Sequence, residues 1–350
     1  MVLAHQGITN THIQNYTVLP TPNEIKELLP LSDRAERTVL GFRSQIENIL
    51  DGKDQRQFVV VGPCSIHDVD AAMEYAKRLR DLADKVSDKL LLIMRVYFEK
   101  PRTTVGWKGL INDPYMDDSF HVEKGLKLAR QLLVNIAELG LPSATEALDP
   151  IVPQYISDLI AWSAIGARTI ESQTHREMAS GLSMPVGLKN GTNGNIGVAL
   201  NALKAARGAH SFLGINAMGQ VSVFSTRGNP YAHIILRGGG GETNYESEKI
   251  QAVEQQIEEA GLTPRLAIDC SHGNSKKDHT RQGGVFNAIV DQVRAGNRSI
   301  VGMMLESHLF PGNQCITPDL KDLKYGVSVT DKCMGWDETE TLLMDAYRRL

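Results

Sequence analysis

Four residues of the chain carry side chains that could together bind a transition metal. They supply a thiolate, an imidazole and two carboxylates, at Cys64, His272, Glu306 and Asp331. This mixture of soft and hard donors suits Mn²⁺, Fe²⁺, Co²⁺ or Zn²⁺ better than Ca²⁺ or Mg²⁺. No short spacing links the four residues, and a single Cys or His after a strand is usually part of the core. The metal hypothesis therefore depends on whether the fold brings them together.

Cations form a second group of candidate residues. Residues 98–109 read FEKPRTTVGWKG, where Pro101 stiffens the chain between Lys100 and Arg102 and Thr103 adds a hydroxyl donor. Such donors suit phosphate, and Arg also binds a carboxylate through two parallel hydrogen bonds. Further cations follow other predicted strands, at Arg95, Arg168, Lys189 and Arg237. The set predicts a site for phosphorylated acids; for an isolated loop of this kind, a solvated charged surface is the alternative.

Short apolar runs that alternate with helical patterns must position these residues. The first run, FVVV at 58–61, is typical of a strand buried on both faces of a parallel sheet. Seven more strands are predicted at 90–97, 143–148, 164–167, 185–188, 233–236, 266–269 and 300–305. The helices after the strands are predicted at 68–86, 122–139, 154–162, 171–179, 196–206, 248–260, 285–293 and 338–349.

Eight strand–helix units in about 280 residues predict an α/β fold, a closed (β/α)₈ TIM barrel. A doubly wound open sheet is the alternative, but no Gly-x-Gly-x-x-Gly sequence follows the first strand. In such a barrel the chemistry lies at the carboxyl ends of the strands. In chain order, the residues predicted there are Cys64, Arg95, Glu146, Arg168, Lys189, Arg237, His272 and Glu306. Because the first strand pairs with the last when a barrel closes, three of the candidate metal ligands become neighbours.

Two segments are not needed to complete this barrel. Residues 1–55 precede it and contain one predicted amphipathic helix, at 33–50. A β-hairpin at about 211–226, with strands at 212–215 and 221–224, interrupts the alternation. We therefore expect an N-terminal extension, residues 1–55, and a catalytic barrel, residues 56–350, with an inserted hairpin.

Composition excludes several classes of partner. The chain has 37 Lys and Arg against 41 Asp and Glu, a formal charge of −4. A mildly acidic chain with no long basic run is not expected to bind nucleic acid or an anionic membrane. Its four cysteines form no Cys-x-x-Cys pair, and residues 1–7 do not resemble the start of a secretory signal. These features predict a cytoplasmic protein.

Several long motifs are similar to those of a known enzyme family. They are GPCSIHD at 62–68, RVYFEKPRTTVGWKG at 95–109, GART at 166–169, PVGLKNGT at 185–192, ILRGG at 235–239, DCSHGN at 269–274 and GNQ at 312–314. From about residue 57 to the end, the chain resembles 3-deoxy-D-arabino-heptulosonate 7-phosphate (DAHP) synthase of the microbial type regulated by aromatic amino acids. The family commonly has Lys after Arg-Gly-Gly, where this chain has Gly240 and Gly241.

The resemblance implies a TIM barrel that joins phosphoenolpyruvate to erythrose 4-phosphate with the help of one divalent metal ion. It assigns Cys64, His272, Glu306 and Asp331 as metal ligands. It places phosphoenolpyruvate against Arg95, Lys100, Arg168, Lys189 and Arg237. It places erythrose 4-phosphate against Lys100, Pro101, Arg102 and Thr103. Lys100 lies between the two substrates and is our candidate proton donor.

The resemblance also implies regulation by an aromatic amino acid and a homo-oligomer, a dimer or a tetramer. The matching effector-pocket positions are Pro153, Gln154, Leu182, Ser183, Phe212, Gly214 and Phe224. The glycine at 214 leaves room for a phenol hydroxyl, so tyrosine is favoured over phenylalanine. Two other functions remain open: a synthase that extends another aldose phosphate such as arabinose 5-phosphate, and a catalytically silent metabolite sensor.

Overall fold

The structure is a computed structural model that describes residues 8–317 and 319–350. The expectation about a signal at residues 1–7 lies outside the described residues. Within the described ranges, no helix is both long and apolar enough to span a bilayer.

Eight parallel strands close into a barrel, which confirms the predicted fold. The barrel order is β1-β10-β9-β8-β5-β4-β3-β2, and β6 pairs with β7 in a separate antiparallel hairpin. The strands are β1 (Gln57–Gly62), β2 (Leu90–Arg95), β3 (Ser143–Glu146), β4 (Trp162–Ile165), β5 (Val186–Lys189), β6 (Ser211–Ile215), β7 (Val221–Ser225), β8 (His233–Leu236), β9 (Leu266–Asp269) and β10 (Ile300–Glu306).

A helix follows each barrel strand, and two more precede the barrel. The helices are α1 (Pro22–Leu28), α2 (Asp33–Leu50), α3 (Val69–Val86), α4 (Val122–Glu138), α5 (Pro153–Ile156), α6 (Gln173–Gly181), α7 (Ile196–Arg207), α8 (Ser247–Glu259), α9 (Gln282–Arg294) and α10 (Trp336–Arg349). Asp68 caps the N-terminus of α3, and its carboxylate accepts hydrogen bonds from the backbone N–H groups of Asp70 and Ala71. This cap satisfies donors that have no partner inside the helix.

Side chains alternate between the inside and the outside of the barrel. In β1, Phe58 and Val60 belong to the interior cluster, whereas Val59 and Val61 pack against the surrounding helices. Because successive side chains of a strand point to opposite faces, the polar residue that ends such a strand can be assigned to one side. Gly302 makes room for the Phe58 ring, which would lie 2.3 Å from a Cβ atom at that position.

Helix α2 covers the amino-terminal end of the barrel. Its last two turns place Ile46, Ile49 and Leu50 in the same cluster as Phe58 and other interior residues. The backbone carbonyl of Leu50 accepts a hydrogen bond of 2.6 Å from Arg265 Nε, just before β9. Part of the N-terminal extension is therefore continuous with the interior core.

The extension also contacts the hairpin. Asn23, in α1, donates a backbone hydrogen bond of 2.9 Å to the carbonyl of Ala217 in the hairpin turn. On the inner face of the hairpin, the rings of Phe212 and Phe224 stack with centroids 6.0 Å apart. On its outer face, Leu213, Val221 and Val223 are exposed. The predicted hairpin is thus present and links two regions that are distant in sequence.

One predicted helix is wrong. The pattern at 154–162 predicts a continuous helix, but α5 ends at Ile156, a single 3₁₀ turn covers Ser157–Leu159, and Trp162 begins β4. Trp162 is fully buried inside the barrel, with its ring centroid 6.1 Å from that of Phe58. Burial of this large ring outweighs the local helical pattern.

The loop after β8 accommodates the glycines that replace the usual Lys. Gly239 and Glu242 exchange two backbone hydrogen bonds of 2.9 Å, which close a tight turn. Gly240 and Gly241 have φ angles of 60° and 87°, in the left-handed region that favours glycine. Both glycines are therefore accommodated within this turn.

Candidate active site

Three of the four candidate metal ligands meet at the carboxyl end of the barrel. One ligand atom from each of Cys64, Glu306 and Asp331 lies within 4.8 Å of the others. The Cys64 Sγ atom is 3.6 Å from Asp331 Oδ2. A thiol and two carboxylates in such a cluster fit a divalent transition metal. Burial, together with Glu306, raises the pKa of the Cys64 thiol to about 11, and a bound cation would favour the thiolate.

The fourth candidate, His272, lies at the edge of this cluster. Its Nε2 atom is 3.9 Å from Glu306 Oε1, and its Nδ1 atom is 2.9 Å from Asp269 Oδ2. The contact at Nδ1 leaves Nε2 to face the cluster. His272 has a φ angle of 53°, unusual for a residue with a side chain, and the Gly273 N–H holds the loop by donating to the Arg237 carbonyl. The structure therefore brings three of the candidate ligands together and places the fourth, His272, beside Glu306 but outside the group of three.

Arg95 is held rigidly at the end of β2. Its Nη2 atom is 3.0 Å from Glu306 Oε1, and both side chains are buried. The guanidinium also lies 3.5 Å from the centre of the Tyr97 ring and donates to the carbonyl of Pro63. A buried Arg with these partners is fixed in position and keeps its charge.

Lys189 ends β5 and makes the second buried ion pair of the site. Its Nζ atom is 2.7 Å from Asp269 Oδ2, at the end of β9. Although burial opposes ionisation, His272 and Lys189 hold the pKa of the Asp269 carboxyl well below its usual range. The Asp269 carboxylate therefore stays charged in the interior.

Arg237 follows β8 and offers an unsatisfied donor to the site. Its Nε atom is buried without a hydrogen-bond partner. Burial is the main cause that lowers the pKa of its guanidinium. Among the described residues, neither Arg237 nor Arg168 forms an ion pair with a carboxylate. Buried charge without a partner is costly, so Arg237 suits an anionic ligand, and Arg168 is exposed where it can reach the same ligand.

The loop after β2 brings Lys100 to the metal-ligand cluster. The Lys100 Nζ atom is 3.1 Å from Cys64 Sγ, and its backbone N–H donates to the carbonyl of Lys108. Burial opposes the charged form of Lys100, but Cys64 and Glu306 outweigh it and raise the pKa of the ammonium. Arg102 donates to the Trp107 carbonyl and is exposed, as is Thr103, so both can reach a ligand at the mouth.

The predicted effector residues fall into two groups. Phe212, Gly214 and Phe224 share the inner face of the hairpin, where a Cβ atom on Gly214 would lie 3.1 Å from the Phe224 ring. Pro153 and Leu182 line one small cavity. Gln154 and Ser183 adjoin these two in the chain. The side chain of Phe212 lies close to Gly181 at the end of α6, so the groups are neighbours.

The same cavity reaches the catalytic end of the barrel. Glu99 and Glu146 line it together with Pro153 and Leu182. Burial and the nearby Asp149 raise the pKa of Glu99 to about 8. Glu146 Oε1 is buried without a hydrogen-bond partner. One cavity therefore lies between the predicted effector pocket and the residue that precedes Lys100.

Sequence reasoning missed Asp269, Tyr97 and Glu99. The signal for Asp269 was available, because Ala267 belongs to the interior cluster and the residue two positions later points the same way. Tyr97 and Glu99 lie inside a motif that was read for its cations. No local pattern distinguishes their buried environment from an exposed loop.

Comparison with known proteins gives one consistent result. Residues 30–344 match the model of the DAHP synthetase I family. The Tyr-sensitive phospho-2-dehydro-3-deoxyheptonate aldolase of Salmonella typhimurium is 56% identical over 344 residues, covering 98% of this chain and 96% of that protein. The Phe-sensitive enzyme of Escherichia coli is 51% identical over 329 residues, covering 91% and 93%. The solved structure of the Francisella tularensis aldolase aligns with a TM-score of 0.94 at 47% identity, covering 96% and 98%.

Proposed function

The chain belongs to the DAHP synthetase I family, an enzyme family of the first step of aromatic biosynthesis, and we propose that it condenses phosphoenolpyruvate with D-erythrose 4-phosphate and water. The products are DAHP and phosphate. The observation that carries this proposal is the juxtaposition of Arg237, which has a buried donor without a partner, with the cluster of Cys64, Glu306 and Asp331 at one barrel mouth.

The cations divide between the two substrates. We assign phosphoenolpyruvate to Arg95, Lys100, Arg168, Lys189 and Arg237. Lys100, Pro101, Arg102 and Thr103 then hold erythrose 4-phosphate, with Arg102 and Thr103 at the exposed edge for its phosphate. Fixed cations offset the charge of two anions and hold the reacting carbons close together. Their ion pairs with Glu306 and Asp269 keep Arg95 and Lys189 in place before the substrate arrives.

The metal ligands in this proposal are Cys64, His272, Glu306 and Asp331, with Mn²⁺, Fe²⁺, Co²⁺ or Zn²⁺ as the ion. A metal bound there would supply Lewis-acid polarisation of the aldehyde oxygen. In the reaction, C3 of phosphoenolpyruvate bonds to the aldehyde carbon, water adds its oxygen at C2, and the C2–O bond to phosphate breaks. Lys100, whose raised pKa keeps it protonated, is positioned to give a proton to the new hydroxyl.

The effector in this proposal is an aromatic amino acid, with tyrosine favoured over phenylalanine. The stacked rings of Phe212 and Phe224 suit an aromatic side chain, and Gly214 brings no side chain of its own against them. The N-terminal extension, residues 1–55, then acts in regulation and assembly, because α1 contacts the hairpin turn. The exposed Leu213, Val221 and Val223 support a homo-oligomer, a dimer or a tetramer. Light scattering of the purified protein measures the mass of the particle in solution and so distinguishes a monomer, a dimer and a tetramer.

The test is phosphate release from phosphoenolpyruvate, measured with erythrose 4-phosphate or arabinose 5-phosphate and with metal added or chelated. We expect release with erythrose 4-phosphate and metal only. Release with arabinose 5-phosphate alone would indicate a synthase for a different sugar. No release with either sugar, together with tyrosine binding, would indicate a silent sensor.

A further inference from the structure

One buried carboxylate contacts both halves of the site. Lys189 Nζ and His272 Nδ1 lie 2.7 Å and 2.9 Å from the same oxygen, Asp269 Oδ2. The other oxygen, Oδ1, accepts from the backbone N–H of Ser271 at 3.0 Å and from its hydroxyl at 2.6 Å. The same hydroxyl oxygen lies 2.7 Å from His272 Nδ1, so this imidazole nitrogen faces both Asp269 Oδ2 and Ser271 Oγ. Asp269 is 1% exposed, so these contacts account for its charge without help from water.

The position of Asp269 follows from three different elements. Asp269 ends β9, Lys189 ends β5 and His272 lies in the loop after β9. Strand β8 lies between β9 and β5 in the barrel. The backbone N–H of Gly273 donates a hydrogen bond to the carbonyl of Arg237, the residue after β8, and this bond joins β8 to the loop that carries His272. The Asn274 side chain donates to the Asp269 carbonyl at 3.0 Å. Hydrogen bonds to the backbone carbonyl of Asp269 and to its carboxylate, from Asn274 and Ser271 respectively, therefore fix the position of this residue.

We propose that Asp269 is a positioning residue that couples the metal half of the site to the phosphoenolpyruvate half. The proposal rests on the proposed function, because it takes His272 as a metal ligand and Lys189 as a substrate contact. A His whose Nδ1 donates to a carboxylate presents its Nε2 lone pair in a fixed direction. The same oxygen also sets the direction of the Lys189 ammonium.

The shared oxygen, Asp269 Oδ2, determines whether the metal strengthens or weakens the binding of phosphoenolpyruvate. An imidazole that binds a cation through Nε2 becomes a stronger donor at Nδ1, and it draws more of the charge of Asp269 Oδ2 to itself. Lys189 then keeps a weaker hold on that oxygen and is freer to pair with an anionic substrate. Metal and phosphoenolpyruvate should each tighten the binding of the other, and by the same factor.

The experiment is calorimetric titration of the metal-free, full-length protein with Co²⁺, with and without phosphoenolpyruvate. In the unmodified protein we expect phosphoenolpyruvate to tighten Co²⁺ binding about five-fold or more. In Asp269→Asn we expect Co²⁺ affinity to fall roughly 10- to 100-fold and the effect of phosphoenolpyruvate to disappear. Unchanged affinity and coupling in a folded Asp269→Asn protein would overturn the proposal.

A second pair of variants covers the case in which Asp269→Asn does not fold, because it leaves the Lys189 ammonium buried and unpaired. Lys189→Met and the double variant Lys189→Met/Asp269→Asn differ only at position 269. The double variant should bind Co²⁺ roughly 10- to 100-fold more weakly than Lys189→Met. Equal affinity in these two proteins contradicts the role of Asp269.

Asp158→Asn is the control for loss of an ion pair to a buried cation. Asp158 pairs with the buried Arg130 at 2.8 Å, away from the barrel mouth, and its loss should leave Co²⁺ affinity unchanged. The proposed function is tested separately by phosphate release from the unmodified protein. Failure of that assay removes the function, whereas normal release with unaltered metal binding in Asp269→Asn removes only the coupling.

Discussion

The ammonium of Lys100 lies 3.1 Å from the Sγ atom of Cys64. The candidate proton donor and a candidate metal ligand are thus in direct contact, although 36 positions separate them. Arg95 donates to the carbonyl of the same Cys64, so this residue, two positions after the end of β1, is held from two sides. In the proposed function, chemistry at the aldehyde and neutralisation of the substrates would therefore occur within one small volume.

Lys100→Met should lower kcat for phosphate release by about 10² to 10⁴, the usual contribution of a positioned proton donor. Steady-state kinetics with both substrates saturating measures this change. Lys108→Met is the control, because Lys108 is an exposed cation of the same loop. Normal turnover by Lys100→Met rules out the proton-donor role.

Cys64→Ala should abolish metal binding, because it removes the only thiolate from the cluster of three ligands. Titration with Co²⁺, followed by absorption of the thiolate–metal bond, measures the loss. Cys315→Ala, an exposed cysteine, should leave the absorption unchanged. Full activity of the unmodified enzyme in the presence of a chelator would contradict the metal requirement.

Glu99→Gln should change how stability depends on pH. Burial raises the pKa of Glu99 from 4.5 to about 8, so the folded state binds this proton more tightly than the unfolded chain does. The stability that the protonated carboxyl supplies is complete below about pH 4.5 and is lost as the pH rises to 8.

Thermal unfolding of both proteins between pH 5 and pH 8.5 measures this effect. Glu99→Gln, which keeps a neutral group, should gain stability relative to the unmodified protein as the pH rises. Glu27→Gln, at an exposed position of α1, controls for the change of charge alone. A constant difference between Glu99→Gln and the unmodified protein over this range is the contrary result.

Gly214→Ser should weaken inhibition by tyrosine and improve inhibition by phenylalanine. A Cβ atom at this position would lie 3.1 Å from the Phe224 ring, so the added side chain must displace that ring and reshape the pocket that the proposal gives to the phenol hydroxyl. Inhibition constants for both amino acids measure the exchange. Ser211→Ala, at an exposed end of the hairpin, is the control. Stronger inhibition of the unmodified enzyme by phenylalanine than by tyrosine refutes the assignment.

Much of the fold could be predicted from the sequence because the apolar patterns are strong. The bounds of α2, Asp33–Leu50, agree with the prediction, and each predicted barrel strand overlaps an observed one. Helix α1 was missed because it is short, although Thr21 and Glu24 form a capping box that announces its start. The predicted end of the helix at 154–162 is wrong because Trp162 is buried inside the barrel as the first residue of β4.

Only the part of the candidate site that lies directly at strand ends could be predicted from the sequence. Cys64, Glu306 and Arg95 come together because β1 pairs with both β10 and β2. The sharing of Asp269 by Lys189 and His272 depends on side-chain directions at three loop ends, which no sequence pattern specifies. Such contacts arise from packing of the closed barrel and become visible only in three dimensions.

Helix α2 closes the amino-terminal end of the barrel, and this limits how the enzyme can be engineered. Burial of Ile46, Ile49 and Leu50 contributes about 1.5–3 kcal/mol for each side chain. Deletion of residues 1–55 would therefore open the hydrophobic interior rather than release a feedback-resistant catalyst. A truncation in the linker between α1 and α2 is more useful, because it removes the contact with the hairpin and keeps the helix that closes the barrel. Under the proposed function, feedback control and catalysis would be separable by residue but not by domain.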